Sequence, residues 1–191
     1  MDSCRQKVAD LIAADPARMR VLAIVADLAL PDCWIGGGFV RSPMWDRLSG
    51  RPPKFPDGDI DVLWFDPART EAAFDEALEA RLAAIDPTLE WSVKNQARMH
   101  LRNGNPPYAS TADAMRHWVE TATAVAVRLA DGRVEVSAPL GFDDLHSMTV
   151  RPTPEFAGAR IGEAASRLRA KRWLDRWPGL RVSEELRRAG I

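Results

Sequence analysis

The chain reads CWIGGGFVRSPMWDRLSGRPPKFPDGDIDVLWFD from Cys33 to Asp66. The apolar start predicts a short buried strand at Cys33–Ile35, and the residues after the glycines predict a helix over Phe39–Leu48. Pro and Gly predict a loop at Gly50–Gly58. Alternation over Asp59–Phe65 predicts a second strand with one polar face at its start. The stretch therefore places a glycine turn and two aspartates on successive strands, with one helix between them.

Three glycines, Gly36–Gly38, join the first strand to the helix. Because glycine has no Cβ, backbone N–H groups can approach a phosphate there, and the positive end of the following helix points to the same place. Arg41, one turn into the helix, can neutralise phosphate charge. The alternative is a tight turn that only needs positive φ. The pattern is not a Walker loop, because no Lys-Ser or Lys-Thr follows, and it is not a GxGxxG turn.

The two aspartates, Asp59 and Asp61, lie on one face of the predicted strand because side chains alternate with a period of two. Two carboxylates this close repel each other, and a divalent cation offsets the repulsion. Hard oxygen ligands suit Mg²⁺, with Mn²⁺ as the alternative, and a nucleoside triphosphate supplies further ligands. The alternative is a strand whose outward face is acidic. Together with the glycine turn, the pair predicts one site for a metal-bound nucleotide.

The rest of the chain predicts an α+β fold, a small mixed β-sheet flanked by helices, with helical extensions at both ends. A hairpin around Ala130–Gly132 argues against a purely parallel sheet. We expect a nucleotide-binding domain over 1–154 that includes the N-terminal helices, and a C-terminal helical extension over 155–191 packed on it as one compact unit. Arg160–Trp177 predicts a basic amphipathic helix. Its charges are interpreted as a solvated face, with a nucleic-acid or partner surface as the alternative.

Composition restricts the class of protein. The 191 residues are 46% hydrophobic and 28% charged, which is typical of a globular protein, and the net charge of −1 gives no general attraction to nucleic acid. A local basic patch stays open. Two cysteines without metal spacing predict free thiols in a reducing compartment. The longest apolar run, Val21–Leu30, contains Asp27 and is too short to span a membrane. We therefore expect a cytoplasmic protein without a membrane partner.

The central motifs resemble those of the DNA polymerase beta type nucleotidyltransferase superfamily. The closest local similarity is to the head domain of CCA-adding enzymes and bacterial poly(A) polymerases, whose stretch runs roughly GGxVRD…LLGRPPKDxD. This chain has Gly37–Arg41, Leu48–Lys54 and Asp59–Asp61 in the same order. It departs in Ser42, where Asp is usual, and in the additional residues Phe55–Gly58. The resemblance implies that Gly37 and Gly38 hold the nucleotide and that Asp59 and Asp61 hold the metal.

A larger part of the chain, about Asp32–Pro154, is similar to the bacterial NTP_transf_6 (DUF925) nucleotidyltransferase-like proteins. The motifs that carry this similarity are WSVKNQAR at 91–98, STADA at 110–114, ETATA at 120–124 and APLGFDDL at 138–145. The resemblance implies the nucleotidyltransferase fold and a transferase activity.

The superfamily usually adds a third acid on a neighbouring strand. Glu135, in the second hairpin strand, is the preferred candidate because CCA-adding enzymes carry an apolar-Glu-Val segment there. Glu90 is the alternative, in the order seen in minimal antibiotic-type nucleotidyltransferases. Either glutamate can instead be an exposed acid on an edge strand. Lys94 is a weaker candidate for contacting the nucleotide, and the three histidines are assigned no role.

The sequence therefore predicts a Mg²⁺-dependent enzyme that transfers a nucleoside monophosphate from a nucleoside triphosphate to a hydroxyl group. The acceptor, a small molecule, a protein or an RNA, is not identified by any motif. Addition to tRNA 3′ ends is not favoured, because the motif that follows the third acid in CCA-adding enzymes and their Arg-Asp template have no match. The alternative function is a non-catalytic nucleotide- or protein-binding module on the same fold.

Overall fold

The computed structural model describes residues 2–55 and 58–191, with only the backbone of Asp2. Part of the predicted loop Gly50–Gly58 lies outside the described residues. The helices are α1 (Asp2–Ala13), α2 (Pro16–Ala26), α3 (Gly38–Leu48), α4 (Ala72–Ile85), α5 (Met99–Asn103), α6 (Thr111–Met115), α7 (Asp143–His146), α8 (Ile161–Lys171), α9 (Trp173–Arg176) and α10 (Glu184–Arg188). The strands are β1 (Trp34–Gly36), β2 (Ile60–Trp64), β3 (Trp91–Asn95), β4 (Ala126–Ala130), β5 (Arg133–Ser137), β6 (Thr149–Val150) and β7 (Arg181–Val182).

Five strands form one mixed sheet in the order β3-β2-β1-β4-β5. β1 runs antiparallel to both β2 and β4, β2 and β3 are parallel, and β4 and β5 form the predicted hairpin. Helices flank this sheet, so the predicted α+β architecture is confirmed. A separate parallel pair, β6 and β7, was not predicted, because two-residue strands carry no periodicity.

Local hydrogen bonds set the ends of several helices. Asp15 caps α2, accepting hydrogen bonds from the backbone N–H groups of Ala17 and Arg18. The Asp66 carboxylate accepts from the Ala68 N–H in a local turn, and α4 begins only at Ala72. The predicted basic helix is interrupted at Arg172, which has a φ of 50°, and is therefore divided into α8 and α9.

The sheet has two different faces. Ile60, Val62 and Trp64 of β2 point into the main core, where they pack with residues of α1, α2 and α3. Leu63 faces the other way and packs in a small cluster with Met115 and Ala126, which Trp118 partly covers. Because side chains alternate along a strand, Asp61 lies on this second face with Leu63.

The C-terminal segment packs against α3 through tryptophans. Trp173 and Trp177 meet Trp45 edge-on, with ring centroids 5.7 and 5.2 Å apart. Trp177 also donates its indole N–H to the buried Asp46 carboxylate at 2.8 Å. These contacts bring α8 and α9 beside the second face of the sheet. No helix in the described ranges is long and apolar enough to cross a membrane.

Candidate active site

The glycine turn lies where β1 leads into α3. Gly37 has a φ of 62°, and its N–H donates to the Val125 carbonyl at 3.0 Å. Its own carbonyl accepts from the Arg41 N–H at 2.9 Å, which closes the first turn of α3. Gly37 and Gly38 line a cleft of about 800 Å³ on the second face of the sheet. The backbone therefore has the conformation expected of a strand–helix turn and opens onto a cavity large enough for a nucleotide.

Two of the glycines are crowded by neighbouring side chains. A Cβ at Gly36 would lie 2.8 Å from both Leu63 Cδ1 and Trp118 Cη2. A Cβ at Gly37 would lie 3.3 Å from Asp61 Oδ2 and 3.7 Å from Trp118 Cζ3. The glycine turn and the Asp61 carboxylate are therefore in close contact.

Asp59 and Asp61 both line the cleft, Asp59 exposed and Asp61 partly buried. Burial and, to a smaller extent, the neighbouring Asp59 charge raise the pKa of Asp61 from 3.8 to about 6, against the opposing charges of Arg167, Lys171 and Arg41. A cation at this pair would relieve the unfavourable charge. Within residues 2–55 and 58–191, no group of three or more His, Cys, Asp or Glu side chains is arranged to hold a metal ion. A metal here would rely on the two aspartates and on ligands from the substrate.

Arg41 lies at the cleft wall but is mostly buried. Its guanidinium lies 4.3 Å from the ring centroid of Trp173 and 5.3 Å from that of Trp45, and it donates to Ser42 Oγ at 3.2 Å. The tryptophans thus fix the position of this charge beside Asp61. Arg41 therefore links the C-terminal segment to the candidate site.

Lys94 also lines the cleft. Its ammonium donates to Glu79 Oε1 at 2.6 Å and to the Val93 carbonyl at 2.9 Å. The lysine is therefore brought to the cleft, but its charge is paired with an acid of α4.

Glu135 is not brought together with the aspartates. It is exposed on the outer strand β5 and accepts from Arg128 Nε at 2.7 Å. Strands β4 and β1 lie between β5 and β2, which separates Glu135 from Asp61 by about 14 Å across the sheet. Glu90 lies nearer to the aspartates than Glu135 does. The Ile60 N–H donates to the Glu90 carbonyl at 2.7 Å, and the parallel register that pairs Ile60 with Trp91 puts Glu90 opposite Asp59.

The segment predicted as a basic helix contributes a stripe of side chains to the same cleft. From the sequence, these charges were interpreted as a solvated face, and a cleft was not predicted there. The stripe residues, spaced by three or four positions, are Arg160, Glu163, Arg167 and Lys171. Arg167 donates from Nε to the Glu120 carboxylate at 3.0 Å, and Glu120 is only 1% exposed. Burial raises the pKa of Glu120, and the positive charge of Arg167 opposes that rise. The spacing of these residues by three or four positions indicated that they share one helix face. No local pattern indicated that this face lines a cleft.

The remaining cleft wall comes from residues that sequence reasoning did not select. It includes Tyr108, His117, Trp118 and Phe156. Tyr108 stacks on His117 with ring centroids 4.8 Å apart. These residues come from three loop segments, since His117 and Trp118 are adjacent, and they share no periodic pattern.

Comparison with known proteins identifies the family. The NTP_transf_6 model, described as nucleotidyltransferase, matches residues 23–182. The chain belongs to this nucleotidyltransferase family. The resemblance inferred from the motifs is thereby confirmed, over a longer range than the motifs covered. None of the curated proteins that were compared matches the chain.

Solved structures agree with this family. An NMR structure described as revealing a CCA-adding enzyme head domain has 34% identity and a TM-score of 0.82, and the match covers 93% of this chain and 95% of that one. The Thermotoga maritima CCA-adding enzyme complexed with tRNA has 17% identity and a TM-score of 0.60, over 95% of this chain and 43% of that one. The Bacillus stearothermophilus CCA-adding enzyme in complex with CTP has 20% identity and a TM-score of 0.56, over 92% and 43%. The chain thus spans less than half of the full enzymes, and these two similarities concern the fold alone.

Proposed function

We propose that this member of the family is a Mg²⁺-dependent enzyme that transfers a nucleoside monophosphate from a nucleoside triphosphate to a hydroxyl group of an acceptor. The observation that carries the proposal is the contact between Asp61 and the glycine turn. A carboxylate whose pKa is raised to about 6 lies against the backbone at the start of α3, inside one cleft. A metal-bound triphosphate complements both parts at once.

The nucleotide binds through its phosphates. The backbone N–H group at Gly38, the first residue of α3, and the positive end of that helix attract the phosphate chain, while Gly37 brings the backbone of the turn to the cleft. Arg41, Arg167 and Lys171 add positive charge to the same cleft, although the whole protein has a net charge of −1. This local excess of positive charge supports a polyanionic substrate.

The donor set fits Mg²⁺, and Mn²⁺ has the same preference for oxygen ligands. Asp59 and Asp61 would hold the ion, and their mutual repulsion supplies a reason for binding it. When bound, Mg²⁺ neutralises phosphate charge and acts as a Lewis acid at the reacting phosphoryl group. Two protein carboxylates leave room for phosphate oxygens in the coordination sphere.

The chain's own residues provide positioning and charge. The glycine turn orients the triphosphate so that the acceptor oxygen can attack the α-phosphorus in line, and pyrophosphate leaves with the electron pair of the broken P–O bond. Arg167 and Lys171, on α8, stabilise the charge that develops on the leaving group. Arg41 is held in its tryptophan contacts and keeps its charge near Asp61 at no cost in side-chain entropy during the reaction.

A nucleotide-binding module without transfer is the second candidate, and one observation favours it. Among the described residues no group of three or more His, Cys, Asp or Glu side chains is arranged to hold a metal ion, and Glu135 lies on the far strand. If a third acid takes part, the register favours Glu90, which stands opposite Asp59.

Pyrophosphate release distinguishes the two candidates. The protein is incubated with Mg²⁺ and each of the four ribonucleoside triphosphates, with and without fractions of cell extract that separate small molecules, proteins and RNA. We expect release that disappears in Asp59→Asn and Asp61→Asn and persists in Glu135→Gln. Nucleotide binding without release in any fraction would instead establish the module.

A further inference from the structure

A histidine in the cleft wall is held by a carboxylate. His117 Nδ1 lies 2.6 Å from Glu155 Oε2. Asn105 donates to the same oxygen at 2.9 Å, and Arg160 donates to Glu155 Oε1 at 2.6 Å. The Glu155 side chain is 15% exposed and each of its oxygens accepts a hydrogen bond, so its orientation is fixed. The imidazole is thereby fixed as well.

These contacts determine which nitrogen of His117 carries the proton. Nδ1 has two polar neighbours, Glu155 Oε2 at 2.6 Å and the Asn105 amide nitrogen at 3.1 Å. The shorter contact is to the carboxylate, which only accepts hydrogen bonds, so Nδ1–H donates to Glu155 and the neutral ring leaves Nε2 with a free lone pair. In the described part of the chain no residue is hydrogen-bonded to Nε2. The ring plane is fixed by Tyr108, which stacks on it and whose hydroxyl accepts from Asn105 at 2.9 Å. The imidazole is therefore held in an orientation in which Nε2 can accept one proton.

His117 is also connected to the candidate catalytic centre. It lines the same cleft as Asp59 and Asp61. The next residue, Trp118, packs on the glycine turn, where its Cζ3 and Asp61 Oδ2 lie 3.7 and 3.3 Å from the same point beside Gly37. A substrate that spans the cleft from the glycine turn thus reaches the wall that carries His117.

We propose that His117 is the general base for the acceptor hydroxyl and that Glu155 positions it. This inference rests on the proposed nucleotidyl transfer. Nε2 takes the hydroxyl proton while the acceptor oxygen forms its bond to the α-phosphorus and the bond to pyrophosphate breaks. Glu155 stabilises the imidazolium that forms, as a buried carboxylate does behind a catalytic histidine. The acceptor therefore binds on the side of the cleft that is lined by Tyr108, His117 and Phe156.

The composition of the cleft supports this assignment. Among the described residues no third acid joins Asp59 and Asp61 in a group that could hold a metal ion, and Glu135 lies on the far strand, which leaves the role of base open to His117. The charged and titratable groups that face His117 are Glu155, Arg160 behind it, Tyr108 on the ring, and His100 beyond Tyr108. Arg102 and Glu163 line the same cleft.

The test uses the full chain, Mg²⁺ and the triphosphate that it turns over fastest, with water and then glycerol as hydroxyl probes. Pyrophosphate release is measured from pH 5.5 to 9 at saturating Mg²⁺, and triphosphate binding is measured by calorimetry. We expect His117→Gln to release pyrophosphate about 10²–10⁴-fold more slowly, with triphosphate affinity within twofold of the wild type. The variant should lose the part of the pH profile that follows imidazole protonation. His146→Gln, at a histidine outside the cleft, is the matched control and should keep the wild-type rate and profile.

A second variant separates chemistry from folding. His117→Ala should regain release when free imidazole is added, because the small base enters the space that the side chain left, and Glu155→Gln should lower the rate and shift the profile. Wild-type rate and profile in His117→Gln, or an equal loss of binding and release without rescue by imidazole, would overturn the role of His117 alone. Absence of release from the wild type with every triphosphate would overturn the proposed transfer, and the base with it.

Discussion

Gly37 and Asp61 approach so closely that a Cβ on the glycine would lie 3.3 Å from the carboxylate Oδ2. Gly37 also has a φ of 62°, which L-residues with a side chain rarely adopt. The same residue is therefore constrained by its backbone and by its neighbour. A substrate bound at Asp61 would therefore also lie against the backbone of the glycine turn.

Gly37→Ala is expected to impair the site more than the fold. The positive φ should lower the free energy of unfolding by about 1–3 kcal/mol, and the new methyl group should displace Asp61. Gly50→Ala is the control, because Gly50 has a φ of 68° with no atom within 4 Å of its Cβ position. Both variants should lose stability in denaturant titrations, but only Gly37→Ala should weaken triphosphate binding, by about tenfold or more. Equal binding in the two variants would contradict the role of this contact.

Gly36→Ala should act on packing instead. Its Cβ would lie 2.8 Å from Leu63 and from Trp118, so both side chains must shift. Overpacking of this kind costs about 1–3 kcal/mol of unfolding free energy. Gly162→Ala, in α8 with open space around its Cβ, should stabilise the protein slightly because alanine favours a helix. An unchanged free energy of unfolding for Gly36→Ala in chemical denaturation would contradict this, because it would show that Leu63 and Trp118 move aside without cost.

The sequence predicted the parts of the site that depend on local pattern. Asp59 and Asp61 share a face because a strand alternates, and Gly37 follows a strand and begins a helix, so short-range periodicity was sufficient. Glu135 depended on strand order, which is set by pairing between distant segments, and β5 lies at the opposite edge from the aspartates. The pairing of His117 with Glu155 joins residues 38 positions apart, and no periodic pattern indicates it.

Asp61→Asn is expected to stabilise the protein in the absence of metal. The folded-state pKa of Asp61, about 6, exceeds the ordinary value of 3.8, so the ionised form is disfavoured by folding. The contribution of this group to stability is therefore present at low pH and is lost as the pH rises through 6. At pH 7.5 the variant should gain roughly 1–3 kcal/mol in the free energy of unfolding.

Thermal or urea unfolding at pH 7.5 and pH 4 checks this expectation, because the gain should shrink at the lower pH. Added Mg²⁺ should stabilise the wild type and not the variant, and Mg²⁺ binding by the wild type should weaken below about pH 6, where protons compete for Asp61. A variant that is less stable than the wild type at pH 7.5 without metal would contradict the unfavourable charge at Asp61.

Arg167 is expected to support both the fold and the site. Arg167→Met leaves the Glu120 carboxylate buried without its cation, which should cost about 1–3 kcal/mol of unfolding free energy at pH 7.5. The deficit should shrink at a lower pH, because burial raises the pKa of Glu120 and the protonated acid no longer carries the buried charge. Arg169→Met, on the exposed side of α8, is the control and should change stability little. Denaturant titrations at the two pH values measure both effects, and a pH-independent deficit would argue that Arg167 acts through packing alone.

The most direct test of the account is a crystal structure of the protein with Mn²⁺ and a triphosphate that cannot be cleaved at the α-phosphorus. The account predicts an anomalous peak for the metal between Asp59 and Asp61, with the phosphate chain against the backbone of Gly37 and Gly38 at the start of α3. A triphosphate bound elsewhere, or one bound in the cleft without metal at the two aspartates, would contradict it.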